Sequence, residues 1–71
     1  MLKEYKIEWT YRDDNGKHIR QVDIFLCYTP REAIIELREE YCDLTDIRIE
    51  DVWEERENSW VHIQREEWEV A

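Results

Sequence analysis

The chain opens on a strict alternation of apolar and polar positions. Tyr5, Ile7, Trp9 and Tyr11 point one way, and Glu4, Lys6, Glu8 and Thr10 the other, which predicts a half-buried strand over Lys3–Tyr11. Asp13-Asp14-Asn15-Gly16 then supplies turn chemistry, since Asn and Gly tolerate positive φ, so a hairpin is expected with His18–Tyr28 as the returning strand. On that strand Val22, Ile24, Leu26 and Tyr28 share one side, the more apolar one, and are expected on the face of Tyr5, Ile7 and Trp9. Phe25 and Cys27 fall on the opposite face, with Ile19, Gln21 and Asp23.

Thr29-Pro30-Arg31-Glu32 marks a helix start. Thr29 can cap, proline suits the first helical position, and Glu32 can reach back to the cap amide. The period changes to 3.6, with Ala33, Ile34, Leu37 and Tyr41 on one stripe, and predicts a helix from Pro30 to Tyr41 or Cys42, with Leu44 extending the stripe. Glu32, Glu36, Glu39 and Glu40 cover its other side. Glu32–Glu36 and Glu36–Glu40 are like-charged pairs one turn apart, which weaken the helix slightly.

Asp46–Glu55 alternates again, with Ile47, Ile49 and Trp53 on one side and Arg48, Glu50, Val52 and Glu54 on the other. Asp51 interrupts the inner row and marks a sheet edge or a bulge. Glu57-Asn58-Ser59 reads as a turn, and Trp60–Val70 as a last strand. Val61 and Ile63 lie on one of its faces; Trp60, His62, Gln64, Glu66, Trp68 and Val70 lie on the other. After Arg65 a frayed end or a short helix fits equally well.

The resulting pattern, β-β-α-β-β, predicts an α+β fold in which one helix packs on one face of a four-stranded antiparallel sheet. The order 2-1-3-4 makes every neighbouring pair antiparallel. Seventy-one residues allow one domain, residues 1–71. A chain this short buries only about 60% of its unfolded surface, and nine aromatic residues are the natural means of building its core. No run approaches the roughly 20 apolar residues of a membrane span, and the charged start Met1–Lys6 does not read as a leader. A soluble, cytoplasmic protein is expected. Cys27 and Cys42 flank a helix roughly 18 Å long, whereas bridged Cα atoms lie within about 7 Å, so both are expected as reduced thiols.

The net charge of −9 is unevenly placed. Over residues 1–35 six acids balance six bases, while residues 36–71 set thirteen acids against only Arg38, Arg48, Arg56 and Arg65. That distribution argues against direct binding to nucleic acid, whose phosphates are neutralised by Lys and Arg, and against an anionic membrane. A partner drawn by this field is basic. The same charge also serves solubility alone.

Neither catalysis nor a cofactor is expected. His18, His62, Cys27 and Cys42 have no spacing that suggests a nucleophile with its base. Asp13-Asp14-Asn15-Gly16 has part of a calcium loop's composition, but in that register Tyr11 and Val22 occupy the first and last ligand positions. The paired spacings of a zinc site are absent, and the single glycine forms no phosphate loop.

Function is therefore sought in exposed surface. The sheet face left bare by the helix is expected to carry Phe25, Cys27, Val52, Trp60, Trp68 and Val70, grouped aromatics of the kind found in interfaces. The first reading is a non-catalytic inhibitor or adaptor docking on a basic protein. Strand carboxylates two residues apart are about 6.6 Å apart, close to the phosphate step of a nucleic-acid strand. Glu50, Glu54 and Glu66, with the helix row Glu32, Glu36, Glu39, Glu40 and Asp43, could present such a mimic to a nuclease or DNA-binding groove. In size and charge the chain resembles small acidic phage and mobile-element inhibitors, anti-restriction and anti-CRISPR proteins among them, although no motif carries the resemblance. The alternative is a homodimer or accessory protein that pairs through the outer aromatic face.

Overall fold

A computed structural model describes residues 1–69. Its elements are β1 (Lys3–Arg12), β2 (His18–Cys27), α1 (Pro30–Glu40), β3 (Thr45–Arg56) and β4 (Ser59–Ile63), followed by a 3-10 turn, Arg65–Glu67. The four strands form one antiparallel sheet in the order β2-β1-β3-β4, with α1 against one face, hereafter the inner face. Fold class and strand order agree with the expectation from sequence.

The start of α1 follows from its local chemistry. Thr29 is extended, its Oγ1 accepts from the Glu32 amide at 3.2 Å, and Pro30 opens the first turn. Ala33, Ile34 and Leu37 are buried, and Tyr41 and Leu44 pack at the core margin. Tyr5, Ile7 and Trp9 of β1 meet them from the sheet, with Ile49, Val52 and Ile63 from the other strands.

Two strand faces differ from the expectation, and both differences come down to counting residues. In the β1–β2 hairpin Arg12 pairs with His18, so the loop holds five residues rather than the two of an Asn-Gly turn. The Asp13 carboxylate builds that loop by accepting from the Asn15 and Lys17 amides at 2.9 and 2.8 Å, while Gly16 takes φ 80°. A tight turn at Asn15-Gly16 would set Ile24 opposite Ile7. The five-residue loop shifts the register by one and sets Asp23 there instead, with Phe25 opposite Tyr5 and Cys27 opposite Lys3. Phe25 and Cys27 consequently lie on the inner face, half-buried and buried, and Val22, Ile24 and Leu26 point outward.

On β3 the row expected to run Ile47, Ile49, Trp53 is broken by a bulge. Trp9 faces Ile49 and Glu8 faces Asp51, leaving Glu50 as the extra residue. Beyond it Val52 and Glu54 turn inward and Trp53 outward. A second irregularity lies between Thr10 and Arg12, beside Asp46 at φ 55°.

The last strand also ends earlier than Trp60–Val70. β4 stops at Ile63, and the 3-10 turn folds the chain back so that Trp68, expected on the outer face, joins the core at 6% exposure. Val70 lies outside the described residues. Among the described residues no helix is long and apolar enough to cross a membrane.

Candidate interaction surfaces

The residues singled out from sequence do not converge on one site. Glu36, Glu39, Glu40 and Asp43 are all exposed along α1 and the turn after it. Glu50 is exposed on the β3 bulge and Glu66 on the 3-10 turn, so they belong to different elements and not to one ladder of strand carboxylates. Trp60 alone of the expected outer aromatics is where it was expected, 37% exposed. Phe25 packs against the inner core, Trp68 is buried within it, and Val52 is fully enclosed.

Glu54 is the largest correction among the acids. The bulge turns it inward to 4% exposure, where it cannot be presented to a partner. It accepts from the Tyr5 hydroxyl at 3.1 Å, Lys3 lies at 3.4 Å, and the Arg56 guanidinium hydrogen-bonds its other oxygen. Burial raises its pKa, but these three donors outweigh burial and hold it below the usual carboxylate range. Asp23, also brought inward, accepts from Trp9 Nε1 at 2.9 Å and from the Tyr41 hydroxyl at 3.1 Å. These two carboxylates are thus satisfied where an apolar row was expected, while the Trp68 Nε1 in the same core has no hydrogen-bond partner among the described residues.

Four carboxylates have a Lys or Arg partner. Glu8 pairs with Arg20, Asp46 with Arg48, Glu54 with Lys3 and Arg56, and Glu69 with Arg65. Glu32, Glu36, Glu39, Glu40 and Asp43 have no Lys or Arg within ion-pair distance among the described residues, nor do Glu4, Glu50 and Glu55 on the strands, but only the first five form a continuous row. Glu32, Glu36 and Glu40 succeed one another at one-turn intervals, about 6 Å along the axis. This flank borders β2, since Glu36 accepts a hydrogen bond from the Cys27 thiol at 2.7 Å and Glu32 and Glu36 line one depression with Leu26 and Tyr28.

The outer sheet face has a different character. Val22, Ile24 and Leu26 are 57, 55 and 59% exposed, in a row along β2 at the sheet edge. Across the sheet Ile24 pairs with Lys6, Lys6 with Trp53, and Trp53 with His62. The Lys6 ammonium lies over the Trp53 and Trp60 rings, 4.8 and 5.0 Å from their centroids. His62 Nε2 is 2.9 Å from Asp51, and its ring meets the edge of Trp53. Sequence reasoning set the β2 row on the wrong face; the signal that places it is Asp13 and the length of the loop it organises.

A groove of about 490 Å³ opens on the other flank of α1, lined by Arg31, Ile34, Arg38, Ile49 and Trp68 and closed by the Arg65–Glu69 pair. Cys27 is not activated as a nucleophile. Burial, reinforced by Glu36, pushes the Cys27 pKa up to about 12, which keeps it a thiol, and Cys42 is exposed and free. Among the described residues no three His, Cys, Asp or Glu side chains converge as a metal site. No family model, curated protein or solved structure matches this chain.

Proposed function

We propose that this protein is a non-catalytic interaction module that binds a basic partner, as an inhibitor or nucleic-acid mimic of the phage or mobile-element type would. The observation that carries the reading is the exposed, unpaired row of carboxylates along α1. On the sheet Glu8, Asp46 and Glu54 have Lys or Arg partners, whereas no member of the α1 row has one, and the row stays exposed although i,i+4 repulsion makes it unfavourable for the helix. Charge kept at a cost to its own element is charge available to something else, and the partner it suits carries Lys and Arg.

The test is affinity capture from host lysate across a salt series, with Glu36→Lys/Glu39→Lys/Glu40→Lys beside the wild type. Capture of a basic protein is expected, falling steeply as ionic strength rises and lost in the charge-reversed variant. Capture that ignores both salt and charge reversal removes the proposal.

A further inference from the structure

We infer that the β2 edge receives an extended segment of that basic partner as a fifth strand, a segment alternating aliphatic residues with Lys or Arg. The inference rests on the proposed basic partner and specifies how it docks.

The first support is the state of the edge. β2 ends the order β2-β1-β3-β4, so one side of its backbone pairs with β1 and the other meets no strand of the sheet. Its ten residues keep an unbroken register with β1, and it contains neither proline, nor glycine, nor lysine. Natural proteins blunt such edges with those residues, bulges, short strands or charges, and of these β2 carries only Arg20, paired with Glu8, and Asp23, held inward by Trp9 and Tyr41. The opposite edge, β4, is short, five residues followed at once by the 3-10 turn.

The two sides of this edge then state what fits. Outward, Val22, Ile24 and Leu26 offer three exposed aliphatic positions at the two-residue spacing that an added strand reads with alternate side chains. Inward, the next strand's other face meets the flank of α1 that carries Glu32, Glu36 and Glu40. Aliphatic side chains on one face and cations on the other satisfy both. A second copy satisfies only the first, because β2 against β2 in one continuous sheet brings two acidic helix flanks together.

The probe is a capped peptide, KVKIKVK, beside EVEIEVE and a KVKIKVK peptide N-methylated at its central residue. Amide exchange and chemical shifts are followed by NMR on the intact chain. The first peptide is expected to protect alternate amides of residues 19–27, and the two controls are not. Ile24→Lys, at a position exposed enough to leave the fold intact, is expected to weaken binding about tenfold, and Glu32→Gln/Glu36→Gln/Glu40→Gln to weaken it similarly and flatten its salt dependence. Protection elsewhere, no protection at millimolar peptide, equal binding by Ile24→Lys, or a β2-paired dimer in sedimentation each overturns the inference. If natural partner capture depends on the helix carboxylates but survives Ile24→Lys, strand addition fails and the basic-partner reading stands.

Discussion

At Glu54 burial and hydrogen bonding act in opposite directions, and the hydrogen bonds from Arg56, Tyr5 and Lys3 prevail. Because its folded pKa is lowered, its contribution to stability is present above the unfolded pKa and disappears as pH falls through the folded one. Glu54→Gln is therefore expected to cost about 2 kcal/mol at pH 7 and to flatten the loss of stability in acid, measured by urea unfolding from pH 2 to 7. Tyr5 and Cys27 respond at the other end. Burial, with hydrogen bonds to Glu54 and Glu36 respectively, lifts both pKa values to about 12 from 10.0 and 9.0. Raised values mean that their contribution is complete below the unfolded pKa and is lost as pH climbs toward 12. Stability is expected to fall from about pH 9 upward, and more gently in Cys27→Ala and Tyr5→Phe, each compared with its own value at pH 7. Little of this was legible in the sequence, which shows Glu54 and Asp23 as two more charges on alternating strands. Only their pairing with Tyr5, Trp9 and Tyr41 shows why they are tolerated inside.

The elements themselves were legible, because each has a strong local cause. The cap Thr29-Pro30-Arg31-Glu32 fixes the start of α1, the 3.6 period of Ala33, Ile34 and Leu37 fixes its buried stripe, and alternation fixes β1. The faces of β2 and of the second half of β3 were not legible. Each depends on whether an odd or even number of residues intervenes, in the Asp13 loop or at the Glu50 bulge, and hydrophobicity does not count residues. On β2 the more apolar side is in fact the exposed one. Asp51 did mark the irregularity in β3, though not its effect on Val52, Trp53 and Glu54. Deleting Glu50 is expected to leave Ile49 opposite Trp9 and Asp51 opposite Glu8 in a regular ladder, so that Val52, Trp53 and Glu54 keep their faces and the dispersed Val52 methyl signals persist in NMR spectra, whereas adding one residue between Ile49 and Val52 is expected to abolish them.

Across the whole molecule, one face of the sheet is closed and the other is open. α1 alone does not complete the closed side; the 3-10 turn brings Trp68 into the same core, and Arg65 stacks over its ring while reaching the Glu50 carbonyl at the bulge. The two outer tryptophans expected to act alike are thus separated into one structural and one surface residue. Trp68→Ala is expected to destabilise by about 3–5 kcal/mol and Trp60→Ala by less than about 1 kcal/mol, compared by thermal and urea unfolding. The acidic helix row, part of the candidate site, was legible from spacing alone, whereas its neighbour, the bare aliphatic edge, depended on the hairpin. The Asp13 hairpin also bears on how this protein can change over generations. Surface connections ordinarily gain or lose residues freely, but a single insertion or deletion between Arg12 and His18 would turn β2 over, burying Ile24 and expelling Asp23 and Cys27. Descendants of this chain should therefore lengthen or shorten that connection by two residues at a time.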